Sequence, residues 1–165
     1  MRGGGVRARV IFLKPGELVV SAEPARITTL LGSCVAVTMY SARLRLGAVC
    51  HALLPACRRE RPCCNGEAGR YVECAVKLML KELNSRGVVT GEIEAKIFGG
   101  SDMFDPVEGH RNSVGMQNIE MAVKVLEQTG VRVQTRDLGG PRGRKIIFHT
   151  DTGEVFLKRL KKTEV

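Results

Sequence analysis

The chain has 165 residues, 44% of them hydrophobic and 26% charged, a composition that fits a single folded domain with a sizeable core. No apolar run approaches the roughly 20 residues that span a bilayer, and MRGGGVRARV lacks the apolar centre of a signal peptide, so the expectation is a cytoplasmic protein without membrane insertion and with reduced cysteines. The net charge of +9 favours acidic partners, but the Lys and Arg residues are scattered, aromatic residues are only 4%, and no nucleic-acid-binding motif is present, which argues against nucleic acid.

In chain order, residues 3–5 read as a flexible glycine tail, 6–13 as a strand, Pro15-Gly16 as a turn, Leu18–Ser21 as a second strand and 24–30 as an extended run. Residues 35–40 and 46–53 are short, apolar and rich in β-branched side chains, which predicts an antiparallel hairpin closed by a polar loop at 41–44. In that register Tyr40 pairs with Arg45 and Cys34 falls opposite His51. Cross-strand partners have Cβ atoms about 4.5–5.5 Å apart on one face, close enough for a thiol and an imidazole to exchange a proton. Slippage by one residue would put them on opposite faces. Gly32 and Ser33 precede the cysteine where a sharp turn would expose its thiol, and backbone N–H groups around Ser33 and Cys34 are candidates for an oxyanion hole. The plain alternative is an inert, buried cysteine.

Residues 56–68 form a polar loop. Cys57, Cys63, Cys64 and Cys74 have no CxxC spacing, and the adjacent Cys63-Cys64 pair does not suit one tetrahedral site, so no metal is expected. A helix is predicted over 69–85, with Val72, Ala75, Val76, Met79 and Leu83 on its core face and Gly87 ending it. Residues 93–98 alternate as a strand leading into Gly99-Gly100, which marks a tight bend or a close backbone approach. His110 sits in the polar loop 101–113 and is read as solvated rather than as a competing base. A second helix spans 116–129, and strands at 131–136, 145–149 and 154–157 follow, with a turn at 150–153. The segment GGPRGRK lacks the spacing of a phosphate loop, and His149 reads as structural. Two helices and about eight strands with few βαβ units give an α+β fold.

Four motifs then fall in a recognisable order: LGSCVAV with a histidine seventeen residues after its cysteine in HALLP, KIFGGSDMF (96–104), GMQN (115–118) and DLGGPRGRKIIFHTDTGEVFLKRL (137–160). The set resembles the CheD family, the chemoreceptor glutamine deamidases of bacterial and archaeal chemotaxis, from about residue 16 to 160. The resemblance implies a layered sandwich of β-sheet flanked by helices, and Cys34 and His51 as nucleophile and base. It makes Thr28, six residues before the cysteine, the group that orients the imidazole; by itself Thr28 is only a good strand former. It also implies that Phe98, Gly99 and Gly100 line the substrate surface, although a packing bend fits them equally. No cofactor or metal is implied. The implied partners are the cytoplasmic region of a chemoreceptor, whose many glutamates suit a basic chain, and a CheC-type phosphatase of CheY. Leu53 stands where many relatives have methionine, a volume-conserving change. Two other readings stay open: another Cys-His acyl-transfer enzyme, such as a peptidase or transglutaminase, or an adaptor that binds receptors or a CheC-like protein.

Overall fold

Two seven-residue runs, Val35–Ser41 (β4) and Leu46–Ala52 (β5), are buried at every position. Strands covered on both faces lose the apolar–polar alternation of a half-exposed sheet, which is why these read as continuous apolar runs. In the computed structural model, which describes residues 7–58, 66–102 and 113–161, they form the centre of a five-stranded sheet. The strands beside them are β2 (Leu18–Ser21), β6 (Glu94–Gly99) and β7 (Arg132–Leu138), in the order β2-β5-β4-β6-β7. Only β6 and β7 run parallel. The glycine tail at 3–5, Cys63, Cys64 and His110 lie outside the described residues.

One face of this sheet carries Val35, Val37, Met39, Ala48 and Cys50. It packs under the helices α1 (Val72–Ser85) and α2 (Val114–Gln128), whose Met79, Leu83, Val125 and Leu126 are fully buried there. Each such side chain contributes about 1.5–3 kcal/mol by leaving water. The Ser113 side chain caps α2 by accepting from Met116 N at 3.1 Å, and Gly87 and Gly130 end the two helices at positive φ.

The opposite face is covered by a second sheet rather than by helices. That sheet contains β1 (Arg9–Phe12), β3 (Ala25–Leu31), β8 (Arg144–His149) and β9 (Val155–Arg159), in the order β1-β3-β8-β9. In β3, Ala25, Ile27, Thr29 and Leu31 point inward, while Arg26, Thr28 and Leu30 point outward. Ile27 and Phe148 meet Val49, and Leu31 and Ile146 meet Ala36 and Phe98. The molecule is therefore an α+β sandwich of helices, five-stranded sheet and four-stranded sheet. Helices flank one face of one sheet, a one-sided version of the expected layering.

The β4–β5 turn occupies residues 42–45, one residue later than expected from the sequence. Ser41 stays in the strand because its buried hydroxyl is used there, donating to Glu92 Oε1 at 2.5 Å. Arg45 closes the turn with a φ of 50°.

Candidate active site

His51 lies on the inter-sheet face of β5 and is 2% exposed. Its backbone is fixed on both sides, with its N–H donating to Glu17 O at 3.0 Å and its carbonyl accepting from Gly16 N at 2.8 Å. The ring Nδ1 lies 2.6 Å from Thr29 Oγ1, and that hydroxyl donates to Leu13 O at 2.7 Å. A threonine hydroxyl has one proton. Because Leu13 takes it, Thr29 Oγ1 accepts from Nδ1–H, and the free lone pair of the neutral ring sits on Nε2. Burial pulls the imidazole pKa down to about 4, so the ring is neutral near pH 7.

Cys34 ends the turn that carries the chain from β3 in one sheet to β4 in the other. It is half-buried and packs on Leu31, Ala36, Phe98 and Ile146. The shifted turn moves the register by two positions, so Ala36 rather than Cys34 pairs with His51. A shift of two preserves the face, since side chains alternate with period two. Cys34 and His51 thus share the inter-sheet side but lie diagonally, where neighbours are about 7–8 Å apart and their Cβ atoms somewhat closer. Among the described residues no hydrogen bond joins the thiol to the ring. Burial pushes the Cys34 thiol up, and its own backbone N–H partly offsets this. The resting pair is a thiol beside a neutral imidazole.

Every carbonyl of the turn is held. Ser101 N donates to Gly32 O at 3.0 Å and Gly100 N to Cys34 O at 2.8 Å. Asn118 Nδ2, fully buried on α2, donates to Ser33 O at 3.0 Å and to Leu53 O at 2.9 Å. One amide therefore ties the Gly32–Cys34 turn to the segment that follows β5, the strand of His51. Asn118 Oδ1 and Ser101 Oγ are buried without a partner among the described residues. The N–H groups of Ser33 and Cys34 donate to no backbone carbonyl among the described residues, and that of Cys34 faces its own thiol. Gly99 adopts a φ of 105°, and a Cβ there would run into the Cys34 carbonyl oxygen. Behind it, Gly139 N donates to Gly99 O at 2.9 Å, and buried Arg144 holds Gly139 O at 2.6 Å and Asp137 Oδ1 at 2.7 Å.

These positions correct one expectation. Thr28 faces outward from β3, and the ring is held by Thr29, its neighbour on the inward face. In β3 the buried Ala25, Ile27 and Leu31 alternate with outward Arg26, Thr28 and Leu30, and that period of two puts position 29 inward. Phe98 is 3% exposed beneath Cys34, and the Gly100 N–H donates to the Cys34 carbonyl, so residues 98–100 brace the turn as the packing bend that the sequence also allowed. Sequence reasoning missed Asn118, whose partners are backbone carbonyls supplied by other elements, and Arg144, whose partners are the Asp137 carboxylate and the Gly139 carbonyl. His149 lies on the outer face of β8 against Phe156, far from the base role.

Residues 53–159 match the family model described as CheD chemotactic sensory transduction. That span includes Gly99, Gly100 and Asn118 and begins just after Cys34 and His51. Among curated proteins, the chain is 44% identical to Probable chemoreceptor glutamine deamidase CheD 2 of Geobacter sulfurreducens, over 93% of this chain and 92% of that one. It is 38% identical to Probable chemoreceptor glutamine deamidase CheD 1 of Anaeromyxobacter dehalogenans, over 96% of this chain and 88% of the other. Against the Probable chemoreceptor glutamine deamidase CheD of Nitratidesulfovibrio vulgaris the identity is 36%, over 94% and 80%.

Proposed function

Since this chain belongs to the CheD family, we propose that it hydrolyses the side-chain amide of chemoreceptor glutamines, giving glutamate and ammonia. The observation that carries the chemistry is the Leu13–Thr29–His51 chain, which leaves Nε2 basic on the same face as a half-exposed cysteine. Cys34 Sγ attacks the carboxamide carbon as His51 Nε2 takes the thiol proton, and the N–H groups of Ser33 and Cys34 receive the developing oxyanion. The imidazolium gives its proton to the departing nitrogen, which leaves as ammonia. The remaining thioester is attacked by water; His51 takes a proton from it and returns one to the sulfur, releasing glutamate. Thr29 keeps Nε2 as the proton-accepting nitrogen throughout. No cofactor enters any of these steps.

The reaction belongs in the cytoplasm, on the cytoplasmic region of the receptor, and a CheC-type phosphatase of CheY is the second protein partner in this reading. The test is ammonia release from a purified receptor cytoplasmic fragment, with mass spectrometry of its glutamine peptides. The expected result is a gain of about one dalton at particular glutamines, lost in Cys34→Ala and in His51→Ala, since such residues act as a unit. Conversion that persists in both variants would overturn the assignment of the site, and no conversion by the wild-type chain would overturn the activity.

A further inference from the structure

Helices and the second sheet cover the two faces of the five-stranded sheet, but the outer face of the four-stranded sheet has no cover among the described residues. The register aligns Phe12, Thr28, Ile147 and Phe156 in one row across its four strands. Phe12 and Phe156 stand on the two edge strands and are 56% and 54% exposed, while the smaller Thr28 and Ile147 fill the middle. Leu30, 46% exposed, continues the apolar surface along β3, and Val10, 77% exposed, continues it along β1. Two of the chain's five phenylalanines thus face water on one sheet. Contiguous exposed apolar surface of this kind marks a binding face.

The shape and charge of the face define what it takes. Strands about 4.8 Å apart put the two phenylalanine-bearing edges about 14 Å from each other. A helix about 10–12 Å across has the width to fit between them. The charges on this face are Arg26, Lys145 and Lys158, and its described strand residues include no carboxylate. A second copy of the chain would set these cations against themselves across a two-fold axis. An occupant with acidic flanks is matched instead. One end of the face lies near the reaction site along the chain, because Leu30 stands two residues before the Gly32–Cys34 turn.

We propose that the outer face of the four-stranded sheet docks the protein substrate, taking a helical segment whose apolar stripe is flanked by Asp and Glu side chains. The proposal rests on the deamidase reading above. The experiment compares the full chain with Phe12→Ser/Phe156→Ser and Lys145→Glu/Lys158→Glu, using the receptor cytoplasmic fragment as substrate and Cys34 alkylation by iodoacetamide as a check on the fold. Both variants should raise KM by about tenfold or more with kcat retained, the effect of a lost anchor on binding alone. The charge variant should also lose most of the dependence of KM on salt. Variants with wild-type KM, on a wild-type chain that converts glutamine, would overturn the docking proposal and leave the activity standing. A wild-type chain that converts none would overturn both.

Discussion

At the scale of single residues, the site is poised by where its protons rest. The imidazole of His51 is held down to about 4 and the Cys34 thiol is pushed up, both by burial. Around pH 7 the proton therefore sits on sulfur. Alkylation of Cys34 by iodoacetamide, followed on its own peptide, should climb steadily through the alkaline range. A flat, fast rate between about pH 5 and 8 is the signature of a thiolate–imidazolium pair and would contradict the neutral pair. The Thr29 hydroxyl supports a second expectation. Thr29→Val keeps the shape of the side chain but removes the acceptor for Nδ1–H, freeing the ring to place its proton on Nε2. Loss of a group that orients a functional histidine typically costs about 10–100-fold, here expected in kcat. Thr29→Ser should restore most of it, because the hydroxyl returns. Full activity in Thr29→Val would mean that another group, Thr28 included, orients the ring.

Between elements, the decisive contact is made by a helix on the two open ends of the β4–β5 hairpin. Asn118 sends both of its N–H groups to Ser33 O and Leu53 O. Asn118→Ala would leave two carbonyls unpaired beside a cavity, at a cost of about 1–3 kcal/mol in stability. It should also lower kcat, because the turn and the segment that follows β5 lose their shared tie. Urea midpoints and kcat measured on the same preparation separate the two effects, and unchanged kcat with lowered stability would reduce Asn118 to a packing residue. This contact was not legible in the sequence. Its partners lie 85 and 65 residues away along the chain, and a buried asparagine on a helix gives no periodic signal of its own. The local patterns were legible: the apolar face of α1, the position of α2, and the unbroken runs of β4 and β5. The hairpin register was only half legible. Parity survived, so Cys34 and His51 share a face, but the turn slid by one residue because Ser41 bonds Glu92, which comes from a distant part of the chain. The same parity rule, applied to β3, selects Thr29 over Thr28.

Across the whole molecule, the site is assembled from both sheets. His51 belongs to the five-stranded sheet; Thr29 belongs to the four-stranded sheet, and Leu13 directly follows that sheet's β1 strand. The spacing between the sheets therefore sets the Thr29–His51 bond, whereas the helix layer lies on the far side of the five-stranded sheet. Phe148 fills the space between the sheets together with Ile27 and Val49, and Leu126 fills the space under the helices. Both are fully buried. Phe148→Leu and Leu126→Val each remove apolar volume, and core changes of this size cost about 1–3 kcal/mol. Stability alone would make them equivalent. Their effects on activity should differ: below its melting range Phe148→Leu should lose kcat as the sheets settle together differently, while Leu126→Val should keep it. The comparison is made at matched fractions of folded protein, read from urea curves. Equal kcat in the two variants would show that the orientation of His51 is fixed within its own sheet, by the Gly16 and Glu17 backbone bonds, and that the second sheet contributes the hydroxyl without controlling its placement.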